Sequence, residues 1–329
     1  MQIVQKQISR LFPLRLLPKK MKTTFYRNIV KKTSLVIDVY NHKMIVPLQI
    51  GGIGRALALH GHRELDQYTI LHQVIKPGDV FLDLGANIGY YAIIAGKLIS
   101  PGGKLMCFEP DPRNVNYLRQ NIELNKLTDI AEYSDKAVSD FTGETTFNIT
   151  ELSNLNSIEP FRGATNESIV SRGMHERKLE KTIPVKTISL SDLIEQSPKG
   201  IDAIRMDVEG HEVQILGSLA AAMKKPKLAA KAPRVIVFEP HHWEYVEGHD
   251  LLPVMKDLYK SGYRVTWFGT RKEDQSPIAK LGFTPFKRLE ESSGRVRGVY
   301  KATMSDEQAM TLACRTDGVT TVCLERAKG

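Results

Sequence analysis

Cysteine is scarce in this chain, with three among 329 residues, and no two of them form a C-x-x-C pair. The count excludes a disulfide framework and a cysteine-rich zinc site. Cys107 falls within an apolar strand pattern, which predicts a buried and inert thiol. Sparse, unpaired cysteine is typical of a reducing compartment, and we expect a cytoplasmic protein.

Long apolar runs are also lacking. No stretch reaches the ~18 residues that favour a membrane-spanning helix, and the first residues lack the continuous apolar core of a signal peptide. Residues 1–20 would place apolar and basic side chains on opposite halves of a helix. Two interpretations stay open: a helix on an anionic membrane surface, at the inner face of the membrane, and a helix docked on the protein's own body.

Acidic residues are absent from residues 1–33, which contain nine lysines and arginines. The net charge of the chain is +9, and the other 37 basic residues equal the 37 acidic residues in number. The whole excess therefore lies in this basic arm. A neutral body argues against an enzyme of nucleic acids, whose basic patch should lie on the folded part.

Apolar strand patterns alternate with amphipathic helix patterns through most of the chain. Strands are predicted at 80–84, 105–109, 131–138, 203–208, 235–239 and 263–268. One more is expected in "RVRGVYKATM" or "TTVCLERA", residues 34–48 predict a hairpin, and residues 140–186 predict an inserted β region. The pattern predicts an α/β fold with a Rossmann-like, doubly wound, mostly parallel sheet.

The stretch "DLGANIGYYA" is a glycine turn between the first of these strands and a helix, and it lacks the G-x-G pair of dinucleotide folds. Asp83 stands two residues before Gly85, where an acid is unfavourable beside a phosphate and suits a cation. S-adenosylmethionine carries an ammonium and a sulfonium and has no phosphate. We therefore expect Asp83 to bind the ammonium, while Gly85 and Gly89 let the methionyl part approach the backbone. Ala86 and Asn87 of the same turn are also expected to contact this cofactor.

Acidic residues also follow the next two predicted strands. Glu109, in "CFEPDP", is placed to accept hydrogen bonds from the ribose hydroxyls, with Pro110 beside it. Asp135, in "YSDKAVSD", has two open interpretations: a contact to the adenine amino group, and an ordinary turn aspartate. Ala137 follows in the same segment and is taken as a further cofactor residue.

Three segments, "VFLDLGANIGYYAIIAGK", "FEPDPRNVNYLRQNIELN" and "IRMDVEGHEVQILGS", resemble in order and spacing the FkbM family of S-adenosylmethionine-dependent methyltransferases. The resemblance covers about residues 64–270. It implies a class I methyltransferase fold with a seven-stranded sheet, flanked by extensions at 1–63 and at 271–329, the latter completing the sheet. It also implies that the helix carrying Tyr68 helps to close the cofactor pocket; packing of that helix on the sheet is the alternative.

Chemically active side chains follow the fourth and fifth strands of this pattern. Asp207, Glu209 and His211 lie in "MDVEGHE", and Glu239 and His241 lie in "FEPHH". Since parallel strands end at one edge of the sheet, we expect these five residues to form the catalytic cluster, and Asp207 to reach the cofactor as well. A histidine, either His241 or His211, would serve as general base. The same side chains are also plausible metal ligands, and the sequence does not separate the two roles. No metal is assigned, because a spacing such as H-x-x-x-H is missing.

The sequence thus predicts a methyltransferase that uses S-adenosylmethionine to methylate a hydroxyl of a sugar, a lipid-linked glycan or a small natural product. The expected partners are a hydroxyl-bearing acceptor such as a glycan or glycolipid and, through residues 1–20, a membrane surface. Nucleic acid is not expected. The alternative is an RNA or protein methyltransferase that uses the basic arm. Against it, Asp-Val-Glu-Gly stands where base-methylating relatives carry Asn/Asp-Pro-Pro-Tyr/Phe.

Overall fold

The structure is a computed structural model that describes residues 33–48, 52–152, 155–158, 179–245, 248–292 and 294–326. The predicted amphipathic helix at 1–20 and most of the basic arm lie outside these ranges. Among the helices that are described, none combines the length and the apolar character that a membrane crossing requires.

Strands in the described ranges form a two-stranded, a three-stranded and a nine-stranded sheet. In chain order they are β1 (Ser34–Val39), β2 (His42–Pro47), β3 (Val80–Leu84), β4 (Lys104–Phe108), β5 (Ala131–Ser134), β6 (Ala137–Ser139), β7 (Gly143–Thr150), β8 (Leu179–Ser189), β9 (Ala203–Met206), β10 (Val235–Phe238), β11 (Tyr263–Thr270), β12 (Lys287–Glu290), β13 (Val296–Lys301) and β14 (Val319–Arg326).

Helices connect most of these strands. They are α1 (Ile53–His60), α2 (Leu65–Val74), α3 (Tyr90–Ile99), α4 (Pro112–Leu124), α5 (Leu190–Gln196), α6 (Glu212–Met223), α7 (Pro226–Ala229), α8 (Leu251–Lys260), α9 (Pro277–Lys280) and α10 (Asp306–Arg315).

The large sheet has the order β12-β13-β11-β14-β10-β9-β3-β4-β5. Five strands that are neighbours in the sheet, β10, β9, β3, β4 and β5, run parallel to one another. Strand β14 lies between β10 and β11 and is antiparallel to both. The chain moves from β3 to β4 on one side and returns through β9 on the other, so the strand order reverses at β3. Ligands of doubly wound sheets bind at such a reversal, beyond the carboxyl ends of the strands.

The predicted α/β fold with a doubly wound, mostly parallel sheet is confirmed, but the expected number of seven strands is wrong. Strands β12 and β13 extend the sheet antiparallel beyond β11. Both candidate C-terminal segments are strands, and β14 is the one inserted between β10 and β11. The single strand predicted at 131–138 is also wrong, because β5 joins the large sheet while β6 pairs with β8 in the small one.

Two hydrophobic clusters cover the two faces of the large sheet. Strands β3 and β10 are buried at every position, which is expected of parallel strands covered by helices on both faces. Helix α3 is also buried along most of its length, because it packs between the sheet and its neighbouring elements. Cys107 on β4 is buried, as the apolar pattern predicts.

Candidate active site

The glycine turn after β3 is held tightly between the ends of two neighbouring strands. The backbone N–H groups of Gly85 and Ala86 both donate to the carbonyl oxygen of Phe108, at 3.0 Å. On the other side, a Cβ atom at Gly85 would overlap the carbonyl oxygen of Asp207. Gly85 has a φ of 75° and Asn87 one of 49°, so the turn requires left-handed backbone. A cleft lies beside this turn, and Gly85, Ala86 and Asn87 line it.

We call this space the turn cleft. Its wall includes seven of the predicted cofactor residues: Gly85, Ala86, Asn87, Glu109, Pro110, Ala137 and Asp207. Its wall also includes Glu64, which lies at the start of the helix expected to close the cofactor pocket. Six further residues of the wall were not assigned to the cofactor from the sequence: Arg63, Lys136, Val138, Phe147, Asn156 and Arg205.

Glu109 lies on the wall of the turn cleft at the end of β4. Its Oε2 accepts a hydrogen bond from the backbone N–H of Asn87 at 2.7 Å, and its Oε1 accepts one from Asp111 at 2.9 Å. Burial raises the pKa of this carboxyl to about 7, although both N–H donors act in the opposite direction. Each carboxylate oxygen has two acceptor positions, so the group retains capacity for a ligand hydroxyl.

Asp83 lies beneath the turn rather than on the wall of the cleft. It is fully buried, and its Oδ1 is 3.4 Å from Nη1 of Arg205. Burial raises the pKa of Asp83 to about 6, against the opposing effect of Arg205. Its Oδ2 has no hydrogen-bond partner among the described residues. The predicted contact of Asp83 with an ammonium therefore stays a prediction, and the partner that the structure provides is Arg205.

Three other predicted cofactor residues also lie off the wall of the turn cleft. Tyr68 stacks on Tyr40 in the turn of the β1–β2 hairpin, with 4.0 Å between ring centroids. Gly89 caps α3 with left-handed backbone and faces Leu118. Asp135 is exposed. Their roles at a cofactor remain predictions.

Arg205 is a buried cation that ties the strand ends together. It donates to Asp207 Oδ2 at 2.9 Å, to the carbonyl oxygen of Gly85 at 3.2 Å and to Gln67 Oε1 at 2.8 Å. The guanidinium also lies over the ring of Tyr91, 4.2 Å from its centroid. A buried guanidinium is tolerated when its donors are satisfied, and here they fix the position of Asp207.

Arg63 and Glu64 form a second ion pair, which faces the turn cleft from the N-terminal end of α2. Glu64 also accepts a hydrogen bond from the hydroxyl of Tyr91 at 2.9 Å. Burial alone would raise the pKa of Glu64, but Arg63, Arg297 and Arg205 outweigh it and lower the pKa to about 2. The carboxylate therefore stays charged at the cleft wall.

A second space, the histidine cavity, adjoins the turn cleft and has a volume of about 330 Å³. The two spaces share the side chains of Arg63, Glu64, Asp207 and Glu209. The wall of the histidine cavity also includes His60, His62, Glu239, His241, Trp243, Arg271, Glu291, Arg295 and Arg297. A ligand in one space would thus touch the same carboxylates as a ligand in the other.

Four of the five predicted catalytic residues line the histidine cavity. His241 Nε2 is 3.7 Å from Asp207 Oδ1 and 3.8 Å from Glu209 Oε2, while Glu239 lies 3.8 Å from Arg271. Burial raises the pKa of Glu239 to about 8. Glu209 has a φ of 51°, a left-handed conformation that is uncommon outside glycine and is often found at functional sites.

Glu212 positions the imidazole of His241. This carboxylate is fully buried in the first turn of α6, and its Oε1 lies 2.8 Å from Nδ1 of His241. Burial would lower the pKa of His241, but Glu212 and Glu209 raise it well above its ordinary value. A carboxylate that accepts from Nδ1 leaves Nε2 directed towards the cavity. The motif "MDVEGHE" contains Glu212, but spacing alone did not indicate its role.

His211, the fifth predicted catalytic residue, faces the other space. Its Nε2 lies 2.9 Å from Oγ of Ser139, and the side chain lines the turn cleft. The predicted cluster therefore includes Asp207, Glu209, Glu239 and His241, while His211 joins the small sheet to the strand end.

Known proteins resemble this chain over the segment that contributes the strand ends of the site. A model of the methyltransferase FkbM domain matches residues 83–265. The chain is 28% identical over 163 residues to the hexuronic acid methyltransferase AglP of Haloferax volcanii, which covers 49% of this chain and 58% of that protein. It is 28% identical over 187 residues to the 31-O-demethyl-FK506 methyltransferase FkbM of Streptomyces tacrolimicus, covering 51% and 70%.

Solved structures resemble this chain more distantly. M. jannaschii TYW2 in complex with AdoMet covers 90% of this chain and 88% of its own, with 14% sequence identity and a TM-score of 0.36. A likeness of this degree carries no argument about function, so the fold class rests on the strand order described above.

Proposed function

We propose that this chain, which belongs to the FkbM methyltransferase family, methylates a hydroxyl group of a sugar or of a small natural product. The enzyme is a methyltransferase that depends on S-adenosylmethionine. The names of its relatives, a hexuronic acid methyltransferase and a 31-O-demethyl-FK506 methyltransferase, support an acceptor of this kind. The chain spans 58% of the length of the first relative, so the acceptor is assigned here by proposal.

The residues of the turn cleft fit the cofactor. Glu109 offers carboxylate oxygens for a ribose, and the apolar side chains of Ala137, Val138 and Phe147 lie in the same wall. The same wall also includes the charged side chains of Arg63 and Glu64, one cation and one anion. Such a pair suits the carboxylate and ammonium of an amino acid. S-adenosylmethionine, when bound, supplies an electrophilic methyl group.

One observation carries the assignment to a hydroxyl: Asp207 and Glu209 line both the turn cleft and the histidine cavity. Carboxyl groups at the boundary of the two spaces support a reaction between a methyl donor in the turn cleft and an acceptor hydroxyl in the histidine cavity. A hydroxyl is a weak nucleophile with a high pKa, and a positioned base typically contributes about 10²–10⁴-fold to its reaction. We assign the removal of the hydroxyl proton to the cluster of Asp207, Glu209, Glu239 and His241.

Methyl transfer from labelled S-adenosylmethionine tests the proposal. The acceptor panel contains glycans with and without uronic acids, small polyhydroxylated natural products, RNA and protein. We expect label on an oxygen of a glycan or natural product, located by mass spectrometry and NMR. Label on RNA or protein, or on nitrogen, would overturn the assignment.

Matched variants separate the chemistry from binding. Glu209→Gln should lower the rate of methyl transfer by about 10²-fold or more while the affinity for S-adenosylmethionine, measured by calorimetry, changes little. Glu132→Gln makes the same change at an exposed position on the far edge strand and should leave both unchanged. If the Glu209→Gln enzyme kept the full rate of methyl transfer, Glu209 would have no part in removing the hydroxyl proton.

A further inference from the structure

Three side chains of the histidine cavity are arranged like the ligands of one ion. Asp207, Glu239 and His241 each offer a ligand atom, and the three atoms lie within 4.8 Å of one another. Divalent cations bind oxygen and nitrogen at about 2.0–2.4 Å, so ligands on opposite sides of one ion are up to about 4.8 Å apart. The three residues come from the ends of β9 and β10, which are neighbours in the sheet.

His241 provides an independent observation. Its side chain is 4% exposed, and its Nδ1 is held by Glu212. Its Nε2 points at Asp207 and Glu209, but at 3.7 and 3.8 Å it is too far for a hydrogen bond to either. In the ranges that the structure describes, no hydrogen bond reaches this nitrogen. Histidines that bind metals commonly have their other ring nitrogen held by a carboxylate in this way.

Carboxyl groups gather around His241, within a cavity wall that also includes four arginines. Four carboxylates surround the imidazole, those of Asp207, Glu209, Glu212 and Glu239. Asp207 is paired with Arg205, whereas Glu239 has Arg271 only at 3.8 Å. Carboxyl groups that lie close together and are withdrawn from water resist ionisation, and a divalent ion among them would favour their charged form.

We propose that Asp207, Glu239 and His241 bind a divalent cation of the Mn²⁺ or Zn²⁺ type. One imidazole with two carboxylates favours such ions over Mg²⁺ and Ca²⁺, which prefer all-oxygen sites. The ion would hold the acceptor hydroxyl and lower its pKa, leaving Glu209 to take the proton. Only this catalytic use rests on the proposed function; the binding of the ion does not.

The test titrates Mn²⁺ into the full-length chain after treatment with EDTA. Calorimetry and electron paramagnetic resonance of free Mn²⁺ should report one bound ion per chain. Glu239→Gln should weaken binding by at least about tenfold, whereas Glu132→Gln should not change it. Pulsed electron paramagnetic resonance should detect a coupled nitrogen in the unmodified chain and none in His241→Gln.

The affinity for S-adenosylmethionine, measured for every variant, shows whether the fold is kept, and Glu239→Asp is a second variant that retains the carboxylate. An unmodified chain that binds no Mn²⁺ up to ~1 mM, with or without S-adenosylmethionine, would overturn the proposal, as would equal affinity in Glu239→Gln or no nitrogen coupling. Bound Mn²⁺ without oxygen methylation would leave the ion site standing and remove the proposed function.

Discussion

Glu109 is a buried carboxyl whose pKa of about 7 places its ionisation within the physiological range. In the charged form it accepts hydrogen bonds from two backbone N–H groups and can still accept from a ribose. In the protonated form one oxygen becomes a donor and loses acceptor capacity. Binding of the cofactor should therefore favour ionisation and release a proton as the complex forms.

We accordingly expect the affinity for S-adenosylmethionine to rise up to about tenfold between about pH 6 and pH 8, and to level above that. Calorimetry at several pH values measures this. The rise should vanish in Glu109→Gln, which cannot ionise, and should persist in Glu123→Gln, where the exposed side chain lies on α4. An affinity that falls over this range would contradict the role of Glu109.

Gly85 gives a second prediction at the scale of one residue. Gly85→Ala should destabilise the protein by about 3 kcal/mol or more and abolish cofactor binding, because left-handed backbone adds to the overlap with Asp207. Gly102→Ala is the control: it has a φ of 86° and open space around it, so only the backbone cost of about 1–2 kcal/mol applies. Urea unfolding of the two variants compares these costs, and equal losses would contradict the close approach.

At the scale of elements, Asp66 links α2 to the C-terminal strands. Its Oδ1 accepts from Arg297 on β13 at 2.9 Å, and its Oδ2 accepts from Thr320 and Thr321 on β14. All of these groups are buried. These hydrogen bonds hold α2 against β13 and β14. Since α2 begins directly after Arg63 and Glu64, they also help to position these two residues in the wall that both cavities share.

Asp66→Ala should lower the free energy of unfolding by about 3–5 kcal/mol, since it leaves the guanidinium of Arg297 with one carboxylate partner fewer in a buried site. Asp38→Ala removes a carboxylate from an exposed pair with Lys43 and should cost less than about 1 kcal/mol. Urea unfolding provides both values. Similar values for the two variants would show that the buried network contributes little.

At the scale of the whole molecule, several buried groups hold protons more tightly when the chain is folded. Burial raises the pKa of Glu109 to about 7 and that of Glu239 to about 8, and carboxylates raise that of His241. In the unfolded chain the glutamates ionise near their ordinary 4.5. Above pH ~6.5 the folded state thus binds more protons than the unfolded state.

The free energy of unfolding should therefore fall as the pH rises from about 6.5 to 8, because the folded state loses the protons that its buried carboxyl groups and His241 hold. Burial lowers the pKa of His42 to about 4 and also lowers the pKa of His242. These opposite shifts act mainly below this window and reach only its lower end, where an unfolded histidine still holds part of its proton. Urea unfolding across the window measures the slope. Glu239→Gln should flatten it, and a stability that rises with pH would contradict the direction of these shifts.

Local patterns in the sequence predicted most of the elements. The run Val80–Leu84 is the strand β3 with the predicted bounds, and residues 34–48 form the predicted hairpin. Buried parallel strands and glycine turns can both be read from a few consecutive residues. A parallel strand buried on both faces needs a continuous apolar run, and a turn with left-handed backbone needs glycine. Strand β12 was not predicted, since this edge strand is mostly exposed and lacks an apolar run. Strand β13 was predicted only as one of two alternatives for the last strand, and both segments proved to be strands. The domain limits at 64 and 270 stay predictions.

The sequence by itself determined the α/β class, the glycine turn and the acids at the strand ends, because each depends on neighbours within a few residues. Only the tertiary structure decided which of these groups meet. It buried Asp83 under Arg205, turned His211 towards Ser139, and brought Glu212 to His241 across 29 positions. Such partners are set by the order of strands in the sheet, which brings together residues that no spacing along the chain relates.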